Sequence, residues 1–388
     1  MLAAASARAA LLALAAVSLA AADPPEKDKD KTPAKDGPGF FFPIDGARDC
    51  AFDQVRERLY VTTGEKLVVL DTKNRKRLEE VERPGGLQGC AIAPDFSFLA
   101  VAPATAQYVY RIGTKWDKAA DMPVTRIKFK APSEEPGVYA VCVGFDGTIL
   151  FSTTYSGSGG TTLRRITPKN KVEEVGKVNM NAVLAPGGGR RYAALAEGNI
   201  SNGPLRRYDF KERKLVPVAE MGGFPYEIGL SRDAKMYARP HAKGCDLLDA
   251  KGARLGSLDG EPVIAAAFHP SADTLFVLRH GSVNVEEYDV LGRKVANSYP
   301  LDKPLVIKAD VNEREVVDLQ PVGRDAVTAT FRKITSVNFH TYESGRVKVS
   351  EDGKRVFAVV PNGVYVFPVK TAPPGEDKPR PKVKDIGP

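Results

Sequence analysis

Tryptophan occurs once in the 388 residues, at Trp116, and cysteine and histidine four times each. Cysteines so few and so widely spaced exclude a disulfide-stapled miniprotein, and together with the scattered histidines they argue against a multi-ligand zinc module. There is no Gly-x-Ser-x-Gly elbow, no P-loop, no His-Glu-x-x-His and no EF-hand Ca loop, so the commonest hydrolase, nucleotide and metal signatures are missing. The net charge of +8 comes from 56 Lys and Arg against 48 Asp and Glu. These bases are dispersed rather than gathered on one segment, so nucleic acid is not an expected partner. With 43% hydrophobic residues, the composition is that of a soluble globular protein.

Long apolar runs are absent except near the start. One positive charge at Arg8, an apolar run from Ala9 to Leu19 and then Ala20-Ala21-Ala22 give residues 1–22 the layout of a signal peptide. At about 21 Å of helix, Ala9 to Ala22 is short for a hydrocarbon core of about 30 Å. The expectation is an exported protein, secreted or periplasmic, with no integral membrane segment after cleavage. Residues 23–38 alternate Lys and Asp and hold little that is apolar, so a disordered linker is expected there. The Pro- and Lys-rich residues 370–388 predict a second disordered tail.

Between these ends the chain repeats itself. Short β-rich runs begin at Leu59, Leu99, Leu150, Tyr192, Met236, Leu275, Val316 and Val356, about 42 residues apart on average, which is the period of a four-stranded propeller blade. Small apolar strands precede them, as in Cys90-Ala91-Ile92-Ala93 and Ala182-Val183-Leu184-Ala185, and suit an innermost position where blades crowd the axis. A third strand follows and often ends in Asp, at Asp71, Asp209, Asp249 and Asp289. Each of these precedes a turn, where the carboxylate can accept backbone amides two residues on, so a structural role is expected.

Eight such runs predict an all-β propeller of eight four-stranded blades over residues 39–369. Seven blades with one long insertion is the alternative, because the copy from Pro304 to His340 is the most degenerate. The last copy supplies only three strands. The apolar Phe40-Phe41-Phe42-Pro43-Ile44 is therefore expected to fill its outermost position and close the ring, removing a free sheet edge.

Ala91-Ile92-Ala93-Pro94-Asp95 followed by Leu99-Ala100-Val101 resembles the repeat of WD-type and YVTN-type β-propellers, and Leu59-Tyr60-Val61-Thr62-Thr63 nearly spells the latter's signature. The resemblance implies the propeller fold. It also implies an enzymatic alternative, since related propellers include lactonases and other hydrolases or oxidoreductases with sites at the channel mouth.

Function in such a frame is expected on loops. His241 and His280 each lie five residues after the start of their runs, with Arg239 and Arg279 beside them, so all four should emerge on one face. The loops leading into the innermost strands add Tyr139, Asn181, Tyr226 and Glu227. This set is the candidate surface for a protein, peptide or glycan ligand. No catalytic residue, cofactor or metal is assigned, since neighbouring blades would hold the two imidazoles about 10 Å apart, too far to share one zinc. Cys50 and Cys90 are expected as buried thiols, and Asn199-Ile200-Ser201 fits a glycosylation pattern.

Overall fold

The computed structural model describes residues 39–370, apart from 157–158, 199–201, 223–226, 304, 306–309, 322–326 and 339–341. The expected signal peptide and linker, the tail beyond Lys370, Tyr226, His340 and the Asn199 pattern therefore lie outside the described residues.

Seven antiparallel sheets of four strands each account for nearly all the described chain. In sequence order the first strands of the first six blades are Asp49–Asp53, Leu87–Ile92, Val138–Val143, Val183–Pro186, Gly229–Leu230 and Val263–Phe268. Each is followed by three more strands that pair in order. Blade seven is made of Arg346–Val349, Arg355–Val360 and Gly363–Pro368, with Phe40–Pro43 as its fourth strand. Successive first strands touch one another around the axis, and that of blade seven touches that of blade one.

The strands follow from their side chains. Second strands such as Arg58–Thr62 and Thr274–Arg279 are β-branched and aromatic, and Leu59, Tyr60, Val61, Leu275, Phe276 and Val277 are fully buried between adjacent blades. Each large side chain removed from water in this way contributes roughly 1.5–3 kcal/mol. At the end of the first strand one position repeatedly caps the turn into the second. Asp53 Oδ1 accepts the amides of Val55 and Arg56, Ser231 Oγ that of Met236, His269 Nδ1 those of Ser271 and Ala272, and Ser350 Oγ that of Arg355. The third-strand aspartates do similar work one turn further on. Asp209 and Asp289 each accept two amides of the following turn, Asp249 accepts those of Lys251 and Ala253, and Asp71 accepts that of Asn74.

The expectation of eight blades is corrected to seven. The degenerate copy around Val316 is a single hairpin, Asp310–Pro321 against Val327–Asn338, in register along its length and forming a two-stranded sheet of its own. It leads from blade six into blade seven and supplies neither with a strand. Its length misled the period count, because the stretch from Pro300 to Arg346 is about one blade long.

Phe40–Pro43 pairs antiparallel with Gly363–Pro368, Phe40 opposite Val366 and Phe42 opposite Val364. Phe42 and Ile44 are buried with Val61, Val68 and Phe357, joining blade seven to blade one.

Candidate functional site

The residue opposite the third position of each buried second strand faces the central channel. Register assigns this position to Ala51, Ala91, Val141, Ala185, Gly229 and Ala267 in blades one to six. In blade seven the same position, opposite Phe357, is Lys348. Six blades thus supply a small apolar residue, as crowding near the axis requires, and the seventh supplies a cation. All seven line one cavity of about 140 Å³.

Two residues nearer the start of the strands, a second layer carries opposite charges. Arg346 is only 1% exposed, yet its Nη2 lies 2.6 Å from Glu227 Oε1 and its Nε 3.6 Å from Asp49 Oδ1. Asp49 is otherwise engaged: Oδ1 accepts the Cys50 amide and Oδ2 the Cys90 amide, while Lys348 Nζ stands 3.4 Å from Oδ1. Burial by itself lowers the pKa of Arg346, but Glu227 and Asp49 outweigh it and hold the guanidinium charged. Burial pushes the Glu227 carboxyl above its usual range, with Arg346 opposing the shift. Arg346 Nη1 is buried without a hydrogen-bond partner among the described residues.

Tyr342 covers this layer. Its ring lies 4.9 Å from the Arg346 guanidinium and meets Tyr139 of blade three edge-on at 5.3 Å. Its hydroxyl fills the space over Gly89, where a Cβ would stand 2.6 Å from Oη. The channel is therefore stoppered at the end where the first strands begin. The other boundary of the cavity lies among the turns between first and second strands, where Pro186, Gly188 and Pro270 are partly exposed and Glu351 is exposed. Arg190 of blade four reaches across that end, held in the left-handed conformation at φ 54°. Its side chain pairs with Glu351 of blade seven and donates to the Ile92 carbonyl of blade two.

The residues singled out from sequence separate into two groups. Glu227 and Tyr139 belong to the stoppered end of the channel, and Asn181 stands just before the first strand of blade four, at φ 52°, with a buried Oδ1. His241, Arg279 and His280 sit at or just past the ends of second strands, and Arg239 lies within its strand two residues before the end. There His241 Nε2 is 3.5 Å and Arg239 Nη1 4.0 Å from Asp246 Oδ2, Arg279 Nε is 3.0 Å from Glu286 Oε2, and the His280 amide donates to Pro262. Each of the two arginines and His241 is thus tied to an acid of its own blade. Tyr226 lies outside the described residues.

Asp49, Arg190, Arg346 and Lys348 were not anticipated from sequence. One signal was available: where other copies spell a small apolar first strand, the last spells Arg-Val-Lys-Val. Among the described residues no group of three or more His, Cys, Asp and Glu is placed to hold a metal ion, and no helix is long and apolar enough to cross a membrane. All four cysteines are free and buried, and burial raises the pKa values of Cys50 and Cys90, which face the same cavity.

The fold defines a seven-bladed β-propeller. Among solved structures it is similar to a chain of hydrazine synthase from Kuenenia stuttgartiensis, with a TM-score of 0.59 and 16% sequence identity, over 84% of this chain and 96% of that one. At that identity the likeness shows the fold alone. No protein-family model matches the sequence, and no curated protein matches it.

Proposed function

We propose that this protein is an exported binding module without catalytic activity of its own, and that its ligand is seated in the central channel. The observation that carries this reading is Arg346, a guanidinium buried against a cavity of about 140 Å³ with two N–H-bearing nitrogens, Nε and Nη1, lacking hydrogen-bond partners among the described residues. Burying a charged donor without a partner is costly, so such a group is retained where something else satisfies it. The pairing of acid with base favours binding over catalysis, since Glu227 and Asp49 are both held by Arg346 instead of standing free to exchange protons. A protein, peptide or glycan bound on the loop face has less support, because Arg239, His241 and Arg279 are already committed within their blades.

An enzyme is the second reading. It is favoured by the name of the structural neighbour and by a buried carboxyl whose pKa is raised, a property common in active sites. A thermal-shift screen with metals, sugars, peptides and small acids separates these readings, because a ligand at 100 times its dissociation constant stabilises by about 2.7 kcal/mol. The channel reading expects a shift that disappears in Ala267→Leu, which fills the cavity. A shift that survives this substitution moves the site to the loops, and turnover of the bound compound establishes the enzyme.

A further inference from the structure

The chemistry of the chamber narrows its occupant. The side chains at the ring of Ala91, Ala185 and Ala267 are apolar. Charged groups stand at both ends, Asp49, Glu227 and Arg346 at one and Arg190 and Glu351 at the other, with Lys348 between them. Asp49 takes two backbone amides and two cations, and Glu227 takes Arg346. What remains unspent is mostly donor capacity, set against one unpartnered acceptor, Glu227 Oε2. Arg346 Nη1 has no partner among the described residues, and Lys348 has only the 3.4 Å contact with Asp49 while keeping 27% of its side chain exposed. A ligand completing this site must bring acceptor oxygens to one end and an apolar body to the rest.

We propose that the chamber binds a small organic monocarboxylate, with its carboxylate taken by Lys348 Nζ beside the buried Arg346 guanidinium and its short apolar tail lying among the alanines. This rests on the reading that the channel is the ligand seat. Charged donors bind a carboxylate with shorter and stronger hydrogen bonds than neutral groups make. The size is set by the cavity: an apolar cavity of about 150 Å³ holds benzene, so an acid with a tail of about three to six carbons fits in about 140 Å³. Larger or more polar molecules are disfavoured, since a sugar ring would leave most of its hydroxyls facing alanine. Arg190 and Glu351 form a removable bar across the open end, joined by an ion pair at which Glu351 is one-third exposed.

Calorimetric titration of the full chain with acetate, butyrate, hexanoate and benzoate tests the proposal, with butyramide, inorganic phosphate and glucose as comparison probes. Butyrate, hexanoate or benzoate should bind best, with butyramide and acetate at least about tenfold weaker, a difference of one order in the dissociation constant. Lys348→Met should weaken the carboxylate by about tenfold or more while leaving butyramide unchanged. Ala185→Leu, which alters no charge, should abolish binding while far-ultraviolet circular dichroism shows an intact fold. Failure of every carboxylate to bind overturns the proposal, as does equal affinity for butyrate and butyramide. If glucose or another probe binds instead and is excluded by Ala185→Leu, the carboxylate assignment fails and the channel reading stands. If a carboxylate binds but Ala185→Leu leaves it unaffected, both fail.

Discussion

Arg346 of blade seven and Glu227 of blade five meet at 2.6 Å over the head of blade six, inside the channel and out of contact with solvent. Taking two charges out of water is expensive, and their attraction compensates only while both are present. Arg346→Met leaves Glu227 buried without its cation and Asp49 with only the 3.4 Å contact to Lys348, and should cost about 3–5 kcal/mol. Adding Glu227→Gln to that variant should restore a large part of the loss, as read from urea midpoints. A double variant as unstable as the sum of the singles would show that the pair is not coupled.

Among the described strands, only Phe40–Pro43 comes from the opposite end of the chain to the blade it completes. Deleting residues 39–44 uncovers the Gly363–Pro368 edge and removes Phe42 and Ile44 from the core shared with blade one. Each of these side chains is worth roughly 1.5–3 kcal/mol of burial, so the melting temperature should fall by several degrees. An unchanged melting temperature would mean that this strand does not close the ring.

Among the described residues, the hairpin of Asp310–Pro321 and Val327–Asn338 pairs only with itself. Replacing residues 315–333 by Asn-Gly joins Arg314 to Ile334, which already face one another, through a favoured two-residue turn. Scanning calorimetry should find the propeller transition moved by no more than about 2 °C, whereas loss of a blade would abolish cooperative unfolding.

His269 ties blade six to blade seven by donating from Nε2 to the Gly353 carbonyl, 3.0 Å away, while Nδ1 accepts two amides of its own turn. Both roles need the neutral ring with its proton on Nε2. Burial, the largest influence, lowers its pKa below the ordinary histidine value near 6.5. The unfolded chain therefore takes up the proton first, and the stability from this residue is complete above that value and is lost as pH falls below it. Urea midpoints at pH 8 and pH 5.5 should show the advantage of the native protein over His269→Asn shrinking at the lower pH. An advantage that grew on acidification would reverse the sign.

The propeller was legible because its physics is local and periodic. Small residues at Ala91, Ala185 and Ala267, turn aspartates at Asp209, Asp249 and Asp289, and buried runs after each turn all recur with the blade. Blade number was misread because the hairpin insertion occupies almost one period and is itself made of strands. The candidate site was legible only in part. Glu227 and Tyr139 fell on loops expected to lead to the axis, but their partners Arg346 and Tyr342 are more than 100 residues away in sequence and only the closed ring brings them together. Lys348 looks like any surface lysine until register aligns it with Ala91 and Ala267. His241 and Arg279 repeat with the blade for the same reason as the core does, and their nearest acids belong to their own sheets.

The channel holds a chamber open at the turns between first and second strands. Ala267→Cys, placed in a Cys50→Ala, Cys90→Ala background, tests it by the rate at which a small methanethiosulfonate labels the folded protein. The chamber predicts labelling within minutes, slowed by any compound that occupies the channel and quickened by Glu351→Gln, which loosens the bar formed with Arg190. A cysteine at 267 that labels only after unfolding would contradict it.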